Sequence, residues 1–279
     1  TIASAQIGVL SREAQKKTQH VPVRQLISEM RDVLFDLTPC LMMSPLSVAQ
    51  FLPADLRSFD LVVFDEASQI TTWDAVGAVA RGCNVIIVGD PKQMPPSNHF
   101  GRATDSSDAD LESILDQALA AALPHLRLTG HYRSRHETLI AFSNAQYYEN
   151  SLVTYPSAET KQSAVRLCRV DGVYAKGAQR TNPKEAKAVV DELVRLLTGM
   201  IGGMAKQSIG IVTINAEQQR LVNDLIDDVR RNKPELESFF QRSVDYDEVF
   251  VKNLESVQGD QRDIIMISLT HGPTEPGSK

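Results

Sequence analysis

Phe59-Asp60-Leu61-Val62-Val63-Phe64-Asp65-Glu66-Ala67-Ser68-Gln69 is the stretch that decides the fold of this 279-residue chain. The run from Leu61 to Phe64 is short, rich in β-branched and aromatic residues, and has no polar alternation. This pattern predicts a strand that is buried on both faces, as in a parallel sheet. Asp65 and Glu66 follow directly, and open α/β sheets bind their ligands at this end of a strand. The stretch therefore predicts a ligand site at the carboxyl edge of a parallel sheet.

The two adjacent acids can divide the chemistry of such a site. An oxygen of Asp65 can hold Mg²⁺, a cation that prefers oxygen ligands. The Glu66 carboxylate can orient or deprotonate an attacking water molecule. A strand end with two solvated acids is the simpler interpretation, and it would account for most isolated Asp-Glu pairs.

A second stretch repeats the arrangement and strengthens the prediction of a site. Val85-Ile86-Ile87-Val88 is another apolar run, and it ends in Gly89-Asp90-Pro91-Lys92-Gln93-Met94-Pro95-Pro96. Two neighbouring strands would deliver acids and the amide of Gln93 to one sheet edge, which is where α/β proteins bind nucleotides.

Four stretches together resemble a known family. Asp65-Glu66-Ala67-Ser68-Gln69 resembles motif II of the superfamily 1 helicases, in the form typical of the nonsense-mediated-decay group. Residues 89–96 resemble their motif III, with Met94 where leucine is usual. Thr129-Gly130-His131-Tyr132-Arg133-Ser134-Arg135 is similar to the Tyr-Arg motif that opens their second RecA-like domain, and Gln258-Gly259-Asp260-Gln261-Arg262-Asp263 is similar to motif V.

The resemblance implies an α/β fold of two RecA-like, P-loop NTPase-type domains with mainly parallel sheets. The first domain would occupy residues 1–126 with motifs II and III, and the second residues 127–279, from the Tyr-Arg motif to motif V. The sequence has no Gly-x-x-x-x-Gly-Lys-Ser/Thr phosphate loop. In the family that loop precedes motif II, and a last arginine motif follows motif V. We therefore expect a fragment that alone binds ATP weakly and turns it over negligibly.

The resemblance also implies roles at the nucleotide. Gln93 would sense the γ-phosphate of ATP. Arg133 would reach the same phosphate across the interdomain cleft, since a guanidinium spreads its charge over the transition state. Gly259 would allow the backbone to approach a phosphate or sugar closely. Gln261 stands where the family has a glutamate that contacts the nucleotide sugar, so this contact loses its charge.

Other positions match those near the nucleic-acid strand in the family: Ser44, Pro45, Thr213, Gln218 and Gln258. Judged from the residues alone, Ser44 is better explained as a helix cap. Thr213 is expected to lie against a phosphate of the strand. Such motors hold a single strand by backbone contact and stacking. The expected partner is single-stranded nucleic acid, with DNA favoured over RNA because residues 41–50 are similar to bacterial members of the group.

The sequence thus predicts the core of an ATP-dependent helicase or translocase that uses ATP and Mg²⁺. The alternative is a non-catalytic nucleic-acid-binding or interaction module with degenerate ATPase motifs. Gln261 and the missing phosphate loop favour this alternative. An upstream phosphate loop would favour the motor.

Composition sets further bounds. The chain is 42% hydrophobic and 23% charged, as in ordinary globular proteins, and its net charge of −6 argues against nucleic-acid binding by bulk electrostatics alone. No apolar run approaches the roughly 18 residues of a membrane span, so no membrane partner is expected. The widely spaced Cys40, Cys83 and Cys168 predict buried, reduced thiols in a cytoplasmic protein. No protein partner is indicated.

Further elements follow from local patterns. Asn182-Pro183 and Asn215 each predict the start of an amphipathic helix. A short apolar run predicts a strand at 40–43, and short strands are also predicted at 126–128 and 164–170, in addition to the buried strands Ile209–Thr213 and Ile264–Leu269. Residues 97–110 read as a surface loop that leads to a helix from Leu111.

Overall fold

The computed structural model describes residues 2–56, 58–96, 113–158, 163–177, 179–244 and 246–275. The chain divides into two compact units, Thr1–Gln162 and Ser163–Lys279. The predicted loop at 97–110 and the predicted helix start at Leu111 lie outside the described residues. The predicted domain boundary at residue 126 falls inside the first unit, so the assignment of domains stays a prediction. No helix in the described ranges is both long and apolar enough to cross a membrane.

Helices and short parallel strands make up the first unit. Strands β1 and β2 pair in parallel, as do β3 and β4. A 3-10 helix, Ala67–Gln69, follows β1 directly. The elements are α1 (Ile2–Gln15), α2 (Val23–Glu29), α3 (Arg31–Leu37), α4 (Pro45–Phe51), β1 (Val62–Phe64), α5 (Thr72–Val79), β2 (Val85–Ile87), α6 (Ile114–Ala120), β3 (Gly130–His131), α7 (Thr138–Tyr147) and β4 (Val153–Thr154).

The β1–β2 sheet buries one face. Phe64 packs in a core with Ala75 and Ala78 of α5 and with residues of α6. On the other face, Val63 and Ile86 are 56% and 49% exposed. The prediction that β1 is buried on both faces is therefore wrong, because α5 and α6 cover a single face of the pair.

The second unit contains a parallel sheet in the order β6-β5-β7. Its central strand β5 is buried at every position, as the apolar run predicts. The fold class of α/β with parallel sheets is confirmed, since all pairs of named strands in the described ranges are parallel. The elements are α8 (Pro183–Ile201), β5 (Ile209–Thr213), α9 (Ala216–Asn232), a 3-10 helix (Pro234–Phe240), β6 (Phe250–Asn253) and β7 (Ile264–Ser268).

The two predicted asparagine caps are confirmed in the second unit. Asn182 Oδ1 accepts the backbone N–H of Glu185 at 3.2 Å, with Pro183 in the first helical turn. Asn215 Oδ1 accepts the backbone N–H of Gln218 at 2.8 Å. These bonds satisfy donors that a helix start leaves without an intrahelical partner.

Strands predicted at 40–43, 126–128 and 164–170 do not form. Met42, Leu126 and Leu167 are among the most exposed apolar side chains, at 96%, 96% and 86%. A short apolar run becomes a strand only where another strand pairs with it, and these runs have no such partner among the described residues.

The prediction of buried thiols is also wrong. Cys40, Cys83 and Cys168 are all exposed, and none of them forms a disulfide. Cys40 and Cys168 lie in two of the segments that form no strand, whereas Cys83 precedes β2 in a turn.

A buried polar network joins α8, α9 and β7 at the end of the sheet. Gln218 is fully buried, and its Oε1 accepts the backbone N–H of Asn182 at 2.8 Å. Its Nε2 donates to the carbonyl of Asn182 at 3.2 Å and to Ser268 Oγ at 3.1 Å. Ser268 Oγ in turn donates to Glu185 Oε1 at 2.8 Å. Gln218 therefore satisfies groups that water cannot reach.

Gln218→Leu should lower the free energy of unfolding by about 2–4 kcal/mol, because it leaves the buried N–H of Asn182 without its acceptor and removes the hydrogen bonds from Gln218 to the Asn182 carbonyl and to Ser268 Oγ. Hydrogen–deuterium exchange of peptides from β5 and α8 would measure the loss unit by unit. Gln241→Leu is the matched control, since Gln241 is exposed. Equal hydrogen–deuterium exchange in the two variants would show that the network around Gln218 does not stabilise the second unit.

Candidate functional site

The pairing of β1 with β2 brings the two predicted motifs together. Phe64 pairs with Ile87 at the carboxyl end of both strands. Backbone bonds continue beyond the strands: Val88 N–H donates to the carbonyl of Phe64 at 2.8 Å, and Ala67 N–H donates to that of Val88 at 2.9 Å. Asp65-Glu66 and the segment that starts at Gly89 therefore leave the sheet at the same edge.

Gly89 permits this close approach. A Cβ on Gly89 would lie 3.0 Å from Leu115 Cδ2, 3.1 Å from the backbone nitrogen of Ser68 and 3.2 Å from that of Ala67. Two of these neighbours are backbone atoms of the turn after Glu66, and they cannot move aside without shifting the acids. The glycine of the second motif is thus explained by contact with the first.

Glu66 has a left-handed backbone, with φ 52° and ψ 41°. For a residue with a Cβ this conformation is less favourable by about 1 kcal/mol. The Glu66 N–H donates to Asp65 Oδ1 at 3.0 Å, and the 3-10 helix begins at the next residue. The turn places two successive acids directly after the end of β1, and backbone strain of this kind is concentrated at functional sites.

Asp65 suits Mg²⁺ as a single protein ligand. Its carboxylate is exposed at the edge of the sheet. Mg²⁺ commonly takes one or two carboxylates and fills its other positions with water and substrate phosphates. Among the described residues, no group of three or more His, Cys, Asp or Glu could hold a metal by itself. The single exposed carboxylate of Asp65 fits a cation whose other ligands are water and substrate phosphates.

The Asp90 carboxylate shapes the segment after β2. Its Oδ1 accepts the backbone N–H of Lys92 at 2.9 Å, and its Oδ2 accepts Gln93 Nε2 at 3.2 Å. Gln93 is exposed, and its amide is oriented by this bond. Asp90 has no role of its own in the prediction from sequence. The sequence does contain a signal for this bond, because an Asp side chain in a turn commonly accepts a hydrogen bond from the backbone N–H two residues later.

Arg133 is exposed in the turn between β3 and α7. His131 Nε2 lies 2.7 Å from Ser134 Oγ, so a hydrogen bond closes the short segment that contains Arg133. Arg133 belongs to the same compact unit as Asp65 and Glu66. The predicted reach across an interdomain cleft stays a prediction.

The residues predicted near the nucleic-acid strand differ in exposure. Ser44 is the N-cap of α4, where its Oγ accepts the N–H of Ser47 at 3.2 Å and Pro45 follows. The capping role is thus confirmed for Ser44. Thr213 and Gln218 are fully buried, and Thr213 Oγ1 donates to the carbonyl of Asn215 at 2.9 Å. In this conformation neither side chain can touch a strand in solvent.

The predicted motif V forms an open turn between β6 and β7. Gly259 has φ +84°, a conformation that favours glycine, and no atom lies within 4 Å of the position its Cβ would take. Its backbone is therefore accessible, as the sequence suggested. Gln261 is exposed, and its carbonyl accepts Arg262 Nη1 at 2.8 Å, whereas Gln258 is half-buried.

Comparison with known proteins gives matches over both halves of the chain. Residues 111–277 match the AAA_12 family and residues 13–99 match the AAA_11 family, each described as an AAA domain. The chain is 35% identical over 254 residues to the uncharacterized ATP-dependent helicase MG140 of Mycoplasma genitalium, an alignment that covers 85% of the chain and 22% of that protein.

Two more distant relatives are animal proteins. The 5'-3' DNA helicase ZGRF1 of Mus musculus is 29% identical over 229 residues, which cover 77% of the chain and 11% of that protein. The probable helicase senataxin of Homo sapiens is 25% identical over 245 residues, 79% of the chain and 8% of its own length. The chain thus spans about a fifth or less of the length of these relatives. The AAA_12 match alone covers more than half of the chain. The chain therefore belongs to this AAA-domain family, within the group of superfamily 1 helicases that is similar to the nonsense-mediated-decay helicases.

Proposed function

We propose that the protein containing this chain is an ATP-dependent helicase or translocase that moves on single-stranded nucleic acid. One observation carries the proposal: parallel pairing of β1 with β2 leaves Asp65-Glu66 and Asp90–Gln93 at the same sheet edge. Ligands of open α/β sheets bind at such an edge. The named function of the relatives supports the same conclusion.

The residues at this edge divide the work on ATP. Asp65 would hold Mg²⁺, which when bound supplies charge neutralisation at the phosphates. Glu66 takes the proton of the attacking water. Gln93 contacts the γ-phosphate, and Arg133 places its guanidinium on the charge that develops in the transition state. For Gly259 and Gln261, which lie in the motif V turn of the second unit, the nucleotide contact that the resemblance implies stays a prediction.

Single-stranded DNA is the proposed substrate, and one relative is named a DNA helicase. Ser44 and Pro45 in the first unit, and separately the half-buried Gln258 in the second, are the candidate contacts to this strand. For the buried Thr213 and Gln218 we propose indirect support, in which they hold the end of β5 in place. Three exposed thiols suit a reducing compartment, which supports a cytoplasmic location.

A specific observation favours a second function. Gln261 is exposed in the motif V turn and lacks the negative charge of the family's glutamate. A module that binds nucleic acid without hydrolysing ATP would tolerate this change.

ATP turnover by the full-length protein, with and without single-stranded DNA, distinguishes the two functions. A motor should be stimulated by DNA, while residues 1–279 alone should turn over little ATP. If RNA stimulates ATP turnover and DNA does not, the proposed substrate is RNA instead of DNA. If the full-length protein binds DNA but does not hydrolyse ATP, the motor function is wrong and the non-catalytic binding module is the better explanation.

A further inference from the structure

Tyr148 is bonded to the residue that orients Gln93. Its hydroxyl donates to Asp90 Oδ2 at 2.5 Å, across 58 positions of sequence. The same oxygen accepts Gln93 Nε2 at 3.2 Å. The Asp90 carboxylate is therefore shared between the amide that we assign to the γ-phosphate and a tyrosine that our sequence analysis gave no function.

The backbone around Tyr148 is firmly held at the end of α7. The carbonyl of Tyr148 accepts the N–H of Ser151 at 2.9 Å and its Oγ at 2.5 Å. The Asn144 side chain bonds Leu152 in both directions, as donor and acceptor, each at 3.0 Å. Two further residues of this turn, Glu149 and Asn150, have left-handed backbones with φ 57° and 56°. Such strain persists only where the surrounding contacts over-determine it.

The hydroxyl of Tyr148 is a permanent donor near neutral pH. Burial, followed by the hydrogen bond and the charge of Asp90, raises the pKa of Tyr148 to about 12. Near neutral pH the Asp90 carboxylate therefore accepts a hydrogen bond from this hydroxyl. A carboxylate that accepts a charge-assisted hydrogen bond has less freedom to rotate. The amide of Gln93, which bonds the same Asp90 carboxylate, is therefore held in place as well.

We propose that Tyr148 is a positioning residue, which through Asp90 fixes the amide of Gln93 and connects it to α7. Since α7 begins shortly after Arg133, the bond links the segment that carries Gln93 to the segment that carries the arginine. This inference rests on the proposed function, because it assigns Tyr148 a part in ATP turnover. Tyr148 itself touches neither nucleotide nor water in this role.

Tyr148→Phe in the full-length protein tests the inference by steady-state ATPase kinetics at saturating single-stranded DNA. We expect kcat to fall roughly tenfold, the effect of losing one hydrogen bond to a charged group, with KM for ATP little changed. Tyr147→Phe is the matched control, because Tyr147 is the neighbouring tyrosine, is 55% exposed and packs its ring on Phe142 at 6.4 Å.

A double-mutant cycle separates positioning from a structural role. If Tyr148 acts through Gln93, Tyr148→Phe should have no further effect in a Gln93→Ala background. Asp90→Asn removes the shared charge and should reproduce the fall in kcat. This second variant keeps the inference testable if the Tyr148→Phe protein folds poorly. An active parent in which Tyr148→Phe is normal, or equally harmful with and without Gln93, overturns this inference alone. A wild-type protein without any ATP turnover overturns the proposed function and this inference together.

Discussion

Replacing Glu66 by glutamine should reduce ATP turnover by a factor of about 10²–10⁴, the usual contribution of a positioned general base. Glutamine keeps the volume and the hydrogen-bonding reach of glutamate, but it cannot accept the proton of the attacking water. ATP binding should survive, because Asp65 and Gln93 are unchanged. The measurement is kcat with saturating DNA, together with the affinity for ATP in the absence of turnover.

Asp60→Asn is the control for this prediction, since Asp60 is exposed and precedes β1 at the other end of the strand. It makes the same change of charge away from the carboxyl edge and should leave kcat unaltered. If Glu66→Gln retains the wild-type rate in an active protein, another residue activates the water and the division of labour at this edge is wrong.

Replacing Arg133 by alanine should lower kcat by about 10³–10⁵, the range for arginines that stabilise phosphoryl transfer. Lysine should restore little of the loss, because an ammonium group cannot bond two phosphate oxygens in the fixed geometry of a guanidinium. The rate of single-turnover hydrolysis would report the chemical step directly.

Arg135→Ala is the matched control for Arg133, since both arginines are exposed in the same turn. The resemblance gives Arg135 no role at the nucleotide, and its replacement should change kcat little. A larger loss at Arg135 than at Arg133 would transfer the role to Arg135 and would show that the alignment of this turn to the Tyr-Arg motif is shifted.

The sequence was informative where a local rule determines the structure. Ser44, Asn182 and Asn215 cap helices as predicted, because a side-chain oxygen beside unpaired N–H groups has a local reason to bond them. The run Ile209–Thr213 forms β5 with the predicted bounds. The two acidic segments leave one sheet edge because parallel strands end on the same side.

The sequence was misleading where the outcome depends on distant partners. Residues 126–128 and Val62–Phe64 are both predicted as strands, but only Val62–Phe64 pairs with another strand. The Thr213 hydroxyl lies at a strand end and still turns inward to a carbonyl. The bond between Tyr148 and Asp90 joins distant segments, and no local pattern could indicate it.

The left-handed backbone of Glu66 has a consequence for laboratory evolution. Glycine adopts this backbone without the steric penalty that a Cβ brings, and asparagine tolerates it better than most residues. Selection for heat tolerance or soluble expression alone would therefore reward Glu66→Gly and Glu66→Asn, and both substitutions discard the carboxylate. Any selection for higher stability of this protein must therefore also measure ATP turnover in every round. Otherwise it will enrich variants that are stable but inactive.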